Sequence, residues 1–102
     1  IGGKTASVLG EKLARLSADQ QVFCVTHLPQ VAAFGDCHYH VGKEEFKDRT
    51  RVEISRLNAQ ERIEELSRLM GGEAVTDTTR KQASEMLARN SNSQVRENRA
   101  GR

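Results

Sequence analysis

QVFCVTHLPQ, residues 21–30, is the stretch on which the interpretation of this chain depends. An apolar run rich in β-branched and aromatic residues ends at Thr26-His27, and Pro29 follows almost at once. This pattern predicts a buried strand over Gln21–Thr26 that carries one imidazole to the C-terminal edge of a sheet. Ligands of open α/β sheets bind at that edge, so His27 is the first candidate functional residue. The pattern leaves an equal alternative, in which the histidine merely caps a strand.

Composition limits the chain to one modest domain of 102 residues. Apolar residues make up 36% and aromatic residues 4%, which predicts a thin, aliphatic core. The net charge of +2 is not the electrostatic footprint of a nucleic-acid-binding domain. No apolar run is long enough to be a membrane span or signal peptide, and two cysteines do not make a disulfide framework. A reducing, cytoplasmic setting is therefore expected.

The predicted elements alternate between helices and strands. A helix is expected after Gly2-Gly3, and a short one between Pro29 and Gly35. A hairpin is expected near residues 37–41 and 50–56, joined by a long polar loop. The first helix should turn one apolar face inward, with Ala6, Leu9, Leu13 and Leu16 as its members.

Two further helices complete the prediction. The first begins at an Asn58/Glu61 capping box and ends at Gly71-Gly72. The last begins near Asp77, and a polar tail from Asn90 onward is expected to be disordered. The side chains predicted to face the core are Ala59, Ile63, Leu66 and Met70 in the first of these helices and Thr79, Ala83, Met86 and Leu87 in the second.

Two other motifs suggest competing functions. Gly3-Lys4-Thr5 matches the end of a P-loop, in which backbone N–H groups and the lysine hold phosphates. The simpler interpretation is a glycine turn that enters a helix. Zinc is the other possibility, since Cys24, His27, Cys37, His38 and His40 are potential ligands. Their spacing contains no C-x-x-C knuckle, and strand alternation separates them onto opposite faces, so no metal site is predicted.

Val25-Thr26-His27-Leu28-Pro29-Gln30-Val31-Ala32 closely resembles one family. It is similar to the C-terminal head segment of the RecN family, bacterial DNA-repair members of the SMC-like ABC ATPases. The resemblance extends to Ile1-Gly2-Gly3, which is similar to the exit of the D-loop, and to residues 64–72 and 83–87. It implies an α/β fold, the C-terminal part of a P-loop NTPase sheet with a β-hairpin and flanking helices. Residues 1–89 would belong to the ATPase head and residues 90–102 to the tail.

The resemblance also implies roles for individual residues. His27 takes the position of the switch histidine, which contacts the γ-phosphate of ATP and helps to hold the attacking water. Gly2 and Gly3 take the position of the D-loop exit, so the P-loop itself belongs elsewhere in the parent protein. The parent would use ATP and Mg²⁺, whereas this segment alone would bind neither and would be inactive.

The expected partners follow from the same resemblance. They are the remainder of the same ATPase head, a second head in an ATP-sandwiched homodimer, and DNA through the parent protein, with no membrane. The location implied is the bacterial cytoplasm, with nucleoid association during recombinational repair of double-strand breaks. Alternatives from other classes are a non-enzymatic interaction module whose histidine caps a strand and a truncated P-loop protein that starts at Gly3.

Overall fold

The computed structural model describes residues 2–72 and 74–100, with side chains described as far as Asn90. The described residues form a small α/β arrangement of helices and one two-stranded antiparallel sheet. No described helix is long and apolar enough to cross a membrane. The elements in chain order are α1 Gly3–Leu16, α2 Pro29–Ala32, β1 Tyr39–Phe46, β2 Arg49–Arg56, α3 Ala59–Gly71 and α4 Asp77–Ala100.

Helix α1 buries Ala6 as predicted and leaves Leu13 half-buried, but its other buried residues differ from those that leucine spacing predicts. Its buried residues are Ala6, Gly10 and Ala14, while Leu9 and Leu16 remain 41% and 51% exposed. The reason is a close approach by the segment after α2. A Cβ atom built on Gly10 would lie 2.4 Å from Cδ2 of Phe34, so a small-residue stripe, not the leucines, forms the contact.

The predicted buried strand over Gln21–Thr26 is wrong for this chain. The segment lies outside every sheet, and the hairpin is the only sheet among the residues that the structure describes. Phe23 is 85% exposed, Val25 is fully exposed, and Cys24 also faces solvent. A strand is stabilised by hydrogen bonds to a neighbouring strand and by burial of its faces. The described part of the chain places neither beside this segment.

The hairpin is longer and its turn tighter than the sequence predicts. β1 pairs with β2 from Tyr39↔Arg56 to Phe46↔Arg49, which leaves only Lys47-Asp48 in the turn. Lys47 has a positive φ of 46°. Polar residues extend the strands because the hairpin is exposed on both faces and opposite charges such as Glu44 and Arg51 face each other across it.

Helices α3 and α4 provide the core. Ala33, from the segment after α2, joins Leu66 of α3 and Ala83 of α4 in a buried cluster. The predicted inward positions Ile63, Leu66, Met70, Ala83, Met86 and Leu87 all belong to this cluster or pack on it. Ala59 is exposed, contrary to prediction, and Thr79 instead caps the start of α4 by accepting a hydrogen bond from the Thr76 N–H.

The ends of α3 follow the sequence signals. Asn58 Oδ1 accepts a hydrogen bond from the Glu61 N–H at 2.8 Å, and Glu61 Oε1 accepts one from the Asn58 N–H at 2.9 Å, which confirms the capping box. At the other end Gly72 has a φ of 72°, a backbone conformation that favours glycine. The predicted glycine stop is therefore confirmed.

Helix α4 extends beyond the predicted start of the tail. Its backbone remains helical from Asp77 through to Ala100, whereas disorder was expected from Asn90; Gly101 and Arg102 lie outside the described residues. Extending a helix costs much less than nucleating one. The packed turns around Ala83 and Leu87 nucleate α4, and no proline or glycine interrupts the sequence before Gly101.

We expect Gly10→Ala to destabilise the chain despite the higher helix propensity of alanine, which favours alanine by about 1 kcal/mol. The added methyl group meets the Phe34 ring and the Gln30 carbonyl oxygen, and overpacking of this kind costs about 1–3 kcal/mol. Urea unfolding followed by circular dichroism measures the change. Lys12→Ala, an exposed position in the same helix, is the control and should stay within about 0.5 kcal/mol. A Gly10→Ala chain more stable than wild type would contradict the packing described.

Candidate functional site

His27 lies in a turn that precedes α2, with its side chain exposed. The hydroxyl oxygen of Thr26 accepts a hydrogen bond from the Leu28 N–H at 3.0 Å and so closes a local turn around the histidine. The polar residue before His27 thus shapes the backbone, while the imidazole stays available to a ligand. The imidazole can donate or accept a hydrogen bond near neutral pH.

Helix α2 is the rigid support directly after this turn. Pro29 stands at its first position, as the sequence predicts, and both Pro29 and Val31 are buried. The Leu28 carbonyl oxygen accepts hydrogen bonds from the N–H groups of Val31 and Ala32 at 3.1 and 3.0 Å. The residue that follows His27 is therefore fixed by backbone bonds to a buried helix.

The two glycines assigned to the D-loop exit lie at the start of α1. Gly3 lies against α2, because a Cβ atom built on it would be 3.3 Å from Nε2 of Gln30. Gly2 is exposed, with nothing within 4 Å of an added Cβ. The structure thus brings Gly3 close to the side chain three residues after His27. Lys4 and Thr5 are exposed in the first turn of α1.

Arg62 of α3 contacts the opposite end of α2, and sequence reasoning did not single it out. Its Nη2 donates hydrogen bonds to the carbonyl oxygens of Ala32 at 3.2 Å and Gly35 at 2.9 Å. Burial lowers the pKa of Arg62, and the nearby Cys37 and Asp36 partly oppose that effect. One signal could have revealed it: Arg62 precedes the fully buried Leu66 by one helical turn, which places it on the inward face.

His38 lies close to Arg62. Burial lowers the pKa of His38, the positive charge of Arg62 lowers it further, Glu65 opposes both, and His40 adds a small lowering effect. Its Nδ1 atom is buried and has no hydrogen-bond partner among the described residues. A neutral imidazole is therefore favoured at this position.

The potential zinc ligands do not come together. Both cysteines are free and exposed, and Arg56 donates a hydrogen bond to the sulfur of Cys37 at 3.3 Å. Throughout the described part of the chain, no group of three histidine, cysteine or acidic side chains is arranged to hold a metal ion.

The sequence of the chain is similar to that of known proteins from one family. No protein-family model matches the chain. The chain is, however, 40% identical over 87 residues to the DNA repair protein RecN of Bacillus subtilis, a match that covers 85% of this chain. Identity to the RecN proteins of Vibrio cholerae and Haemophilus influenzae is 42% and 45% over the same length. The chain belongs to the RecN family.

The RecN match has a clear limit. The chain spans only 15% of the length of the Bacillus subtilis protein and 16% of the other two. It therefore corresponds to one segment of a RecN protein, and the resemblance noted around Thr26-His27-Leu28 is confirmed at the level of the family.

We expect the stability of the chain to fall as the pH drops below about 6.5, the ordinary pKa of histidine. Because the pKa of His38 is lowered in the folded state, its neutral form stabilises the fold above that pH, and this contribution is lost on protonation. Arg68 lowers the pKa of Glu65 by a hydrogen bond, so the Glu65 contribution is lost only in a more acidic range.

Urea midpoints measured between pH 8 and pH 5 test this expectation. His38→Gln should flatten the pH dependence, while His27→Gln, at an exposed position, should leave it in place. An unchanged slope in His38→Gln would show that another group causes it.

Proposed function

We propose that this segment supplies the switch histidine, His27, of a RecN-type ATPase head that acts in recombinational repair of DNA double-strand breaks. The observation that carries the proposal is an exposed imidazole on a turn that is fixed by the Thr26 hydroxyl and by the buried helix α2. The relatives at 40–45% identity are DNA repair proteins by name, which supports the repair role.

The chemistry of phosphoryl transfer suits a residue of this kind. Such reactions depend mostly on positioning and on stabilising the charge of the transferred group. A hydrogen-bond donor at the γ-phosphate serves both needs, provided that its own position does not change during the reaction. His27 can donate from its ring to a phosphate oxygen and can orient a water molecule. ATP, the substrate, supplies the phosphoryl group and the leaving group.

Among the described residues, His27 is the side chain that we propose for a phosphate contact. His27 is exposed and can reach a ligand, whereas the Thr26 hydroxyl oxygen already accepts the Leu28 N–H. The described residues offer no suitable set of side-chain ligands for magnesium, because no three histidine, cysteine or acidic side chains among them form a cluster. We therefore assign to this chain no step that runs through the metal ion. The remaining contacts to ATP and Mg²⁺ would come from other parts of the RecN head.

The exposed segment 21–26 supports the first proposed partner, the remainder of the same ATPase head. Val22, Phe23 and Val25 are apolar, Phe23 and Val25 face solvent, and a run of apolar residues is typical of a strand in the interior of a parallel sheet. We propose that this segment pairs with strands of the same ATPase head in the intact protein. His27 would then stand at the edge of that sheet.

The proposal extends to a wider assembly, which the family resemblance implies. The proposed partners are a second head in an ATP-sandwiched homodimer and DNA, bound through the parent protein in the bacterial cytoplasm. Family membership favours the D-loop exit over the P-loop for Gly2 and Gly3, because the parent P-loop would lie elsewhere. The contact between Gly3 and Gln30 supports this assignment, since it places the glycine turn beside the helix that follows His27.

In the full-length RecN protein that carries this segment, His27→Ala should lower the kcat for ATP hydrolysis by about 100-fold or more, while ATP binding is retained. The loss of one preorganised donor has this magnitude. Steady-state hydrolysis and equilibrium binding of labelled ATP measure the two quantities. His40→Ala, at an exposed histidine on β1, is the matched control and should leave kcat unchanged. Unaltered hydrolysis in His27→Ala would remove the proposed role and favour the non-enzymatic interaction module.

The 102-residue chain alone should not hydrolyse ATP. Magnesium-dependent turnover by the purified chain, abolished by Lys4→Ala, would instead support the P-loop alternative at Gly3.

Val25→Asp should lower the stability of the full-length protein much more than that of the 102-residue chain. In the 102-residue chain Val25 is fully exposed, so the change in unfolding free energy should stay within about 0.5 kcal/mol. In the full-length protein the carboxylate would be buried in the sheet, and the loss should reach about 3 kcal/mol or more. Thermal unfolding of both proteins makes the comparison. Equal effects in the two would rule out the proposed pairing.

A further inference from the structure

The imidazole of His27 can act on a ligand only if the turn that carries it is held in place. On its N-terminal side, segment 21–26 has no neighbouring strand among the described residues. On its C-terminal side it is continuous with α2. Whatever fixes α2 in this chain therefore also fixes His27.

Two contacts hold α2 from opposite sides. Toward α1, the Phe34 ring and the Gln30 carbonyl oxygen pack on Gly10. Toward α3, Ala32 and Ala33 pack in the apolar cluster around Leu66, and Arg62 adds hydrogen bonds from its Nη2 group to the carbonyl oxygens of Ala32 and Gly35. The Ala32 carbonyl is the last one of α2 and also accepts a hydrogen bond from the Gly35 N–H at 3.1 Å, whereas the Gly35 carbonyl lies three residues beyond the helix.

The surroundings of Arg62 suit a fixed geometry. The side chain is half-buried, its Nε atom is buried without a hydrogen-bond partner among the described residues, and its Nη2 group is held by the carbonyl oxygens of Ala32 and Gly35. The neighbouring His38 has a buried Nδ1 atom, and its backbone carbonyl oxygen accepts a hydrogen bond from the Leu57 N–H at 2.8 Å. The loop that follows Gly35 is thus fastened at two points, to α3 through Arg62 and to the end of β2 through Leu57.

We propose that Arg62 is a positioning residue for His27: by bonding both Ala32 and Gly35 it fixes α2, and through α2 the turn that presents the imidazole. This inference rests on the function proposed for His27. Arg62 itself is not a catalytic residue, since it acts through the helix. Small displacements of a catalytic group are costly, and a shift of about 1 Å can lower a rate 100-fold.

The test is a double-mutant cycle in the full-length RecN protein that carries this segment. Arg62→Met keeps an unbranched apolar stem and removes the donors. It should lower the kcat for ATP hydrolysis at least tenfold while the KM for ATP changes less than about twofold. In a His27→Ala background the same substitution should have no further effect, because the group that it positions is gone.

Two further variants separate positioning from general stability. Arg62→Lys keeps the charge but is shorter, so it should fold with a thermal midpoint near wild type and still show a lowered kcat. Arg80→Met removes another arginine, one that bonds Glu64 and Asp77 away from α2, and should lower stability without changing kcat. A wild-type kcat in both Arg62 variants, effects that add to those of His27→Ala, or an equal loss in Arg80→Met would each overturn the proposal.

A readout that does not depend on ATP keeps this proposal distinct from the proposed function. In the 102-residue chain, Arg62→Met should speed amide hydrogen exchange at Ala32, Ala33 and Gly35, and leave exchange at Leu66 on α3 unchanged. If exchange rises there but His27→Ala keeps full activity in the intact protein, the function assigned to His27 is what fails. If exchange at α2 is unaltered, Arg62 does not hold the helix and the present inference fails by itself.

Discussion

Helix α2 packs against both α1 and α3, and these contacts organise the described part of the fold. The helix is one turn long and could not persist by itself, because short helices are marginal in water. Packing against neighbouring elements provides the stability that local helix propensity cannot. Val31 and Ala33 are buried, Phe34 meets Gly10, and the residues at the end of the turn are bonded to Arg62. The core formed with Leu66 and Ala83 is small, so the loss of any one of these contacts affects a large share of it.

This arrangement divides the chain into a supported part and an exposed part. Helices α1, α3 and α4 surround α2, whereas segment 21–26 and the hairpin face solvent with apolar side chains such as Phe23, Val25 and Ile54. Exposed apolar surface of this extent is typical of a face that another structure covers. The chain spans 15% of the length of the Bacillus subtilis RecN protein, and we propose that other parts of a RecN head cover this face. His27 lies where the supported and exposed parts meet, which is consistent with a residue that completes a site shared with other parts of a head.

Local signals in the sequence predicted local structure well. The Asn58/Glu61 capping box, the Gly72 stop, the proline at the start of α2 and the inward face of α3 each depend on residues within a few positions of one another. The errors arose where distant parts of the chain decide the outcome. Leu9 and Leu16 of α1 are exposed because Phe34, far along the sequence, requires small partners. Gln21–Thr26 has the composition of a strand but lacks a neighbouring strand among the described residues, and composition cannot supply one.

The candidate site likewise contains one residue that the local sequence indicates and one that it does not. His27 was identifiable from its sequence context, since an apolar run that ends in Thr-His-Leu-Pro is unusual enough to suggest both a turn and a family. Arg62 was not, because a charged residue near the start of an amphipathic helix is normally solvated, and only the fold brings it to Ala32 and Gly35. Positioning residues of this type leave little trace in a single sequence.

A single-turnover experiment, which separates the binding of ATP from its hydrolysis, tests whether His27 acts on bound ATP. Full-length RecN protein in excess over labelled ATP would be mixed with magnesium, and the release of phosphate followed for wild type and His27→Ala. The account predicts equal amounts of bound ATP and a rate about 100-fold lower in the variant, as expected for the loss of one preorganised donor. Equal rates of phosphate release from equally loaded proteins would contradict it.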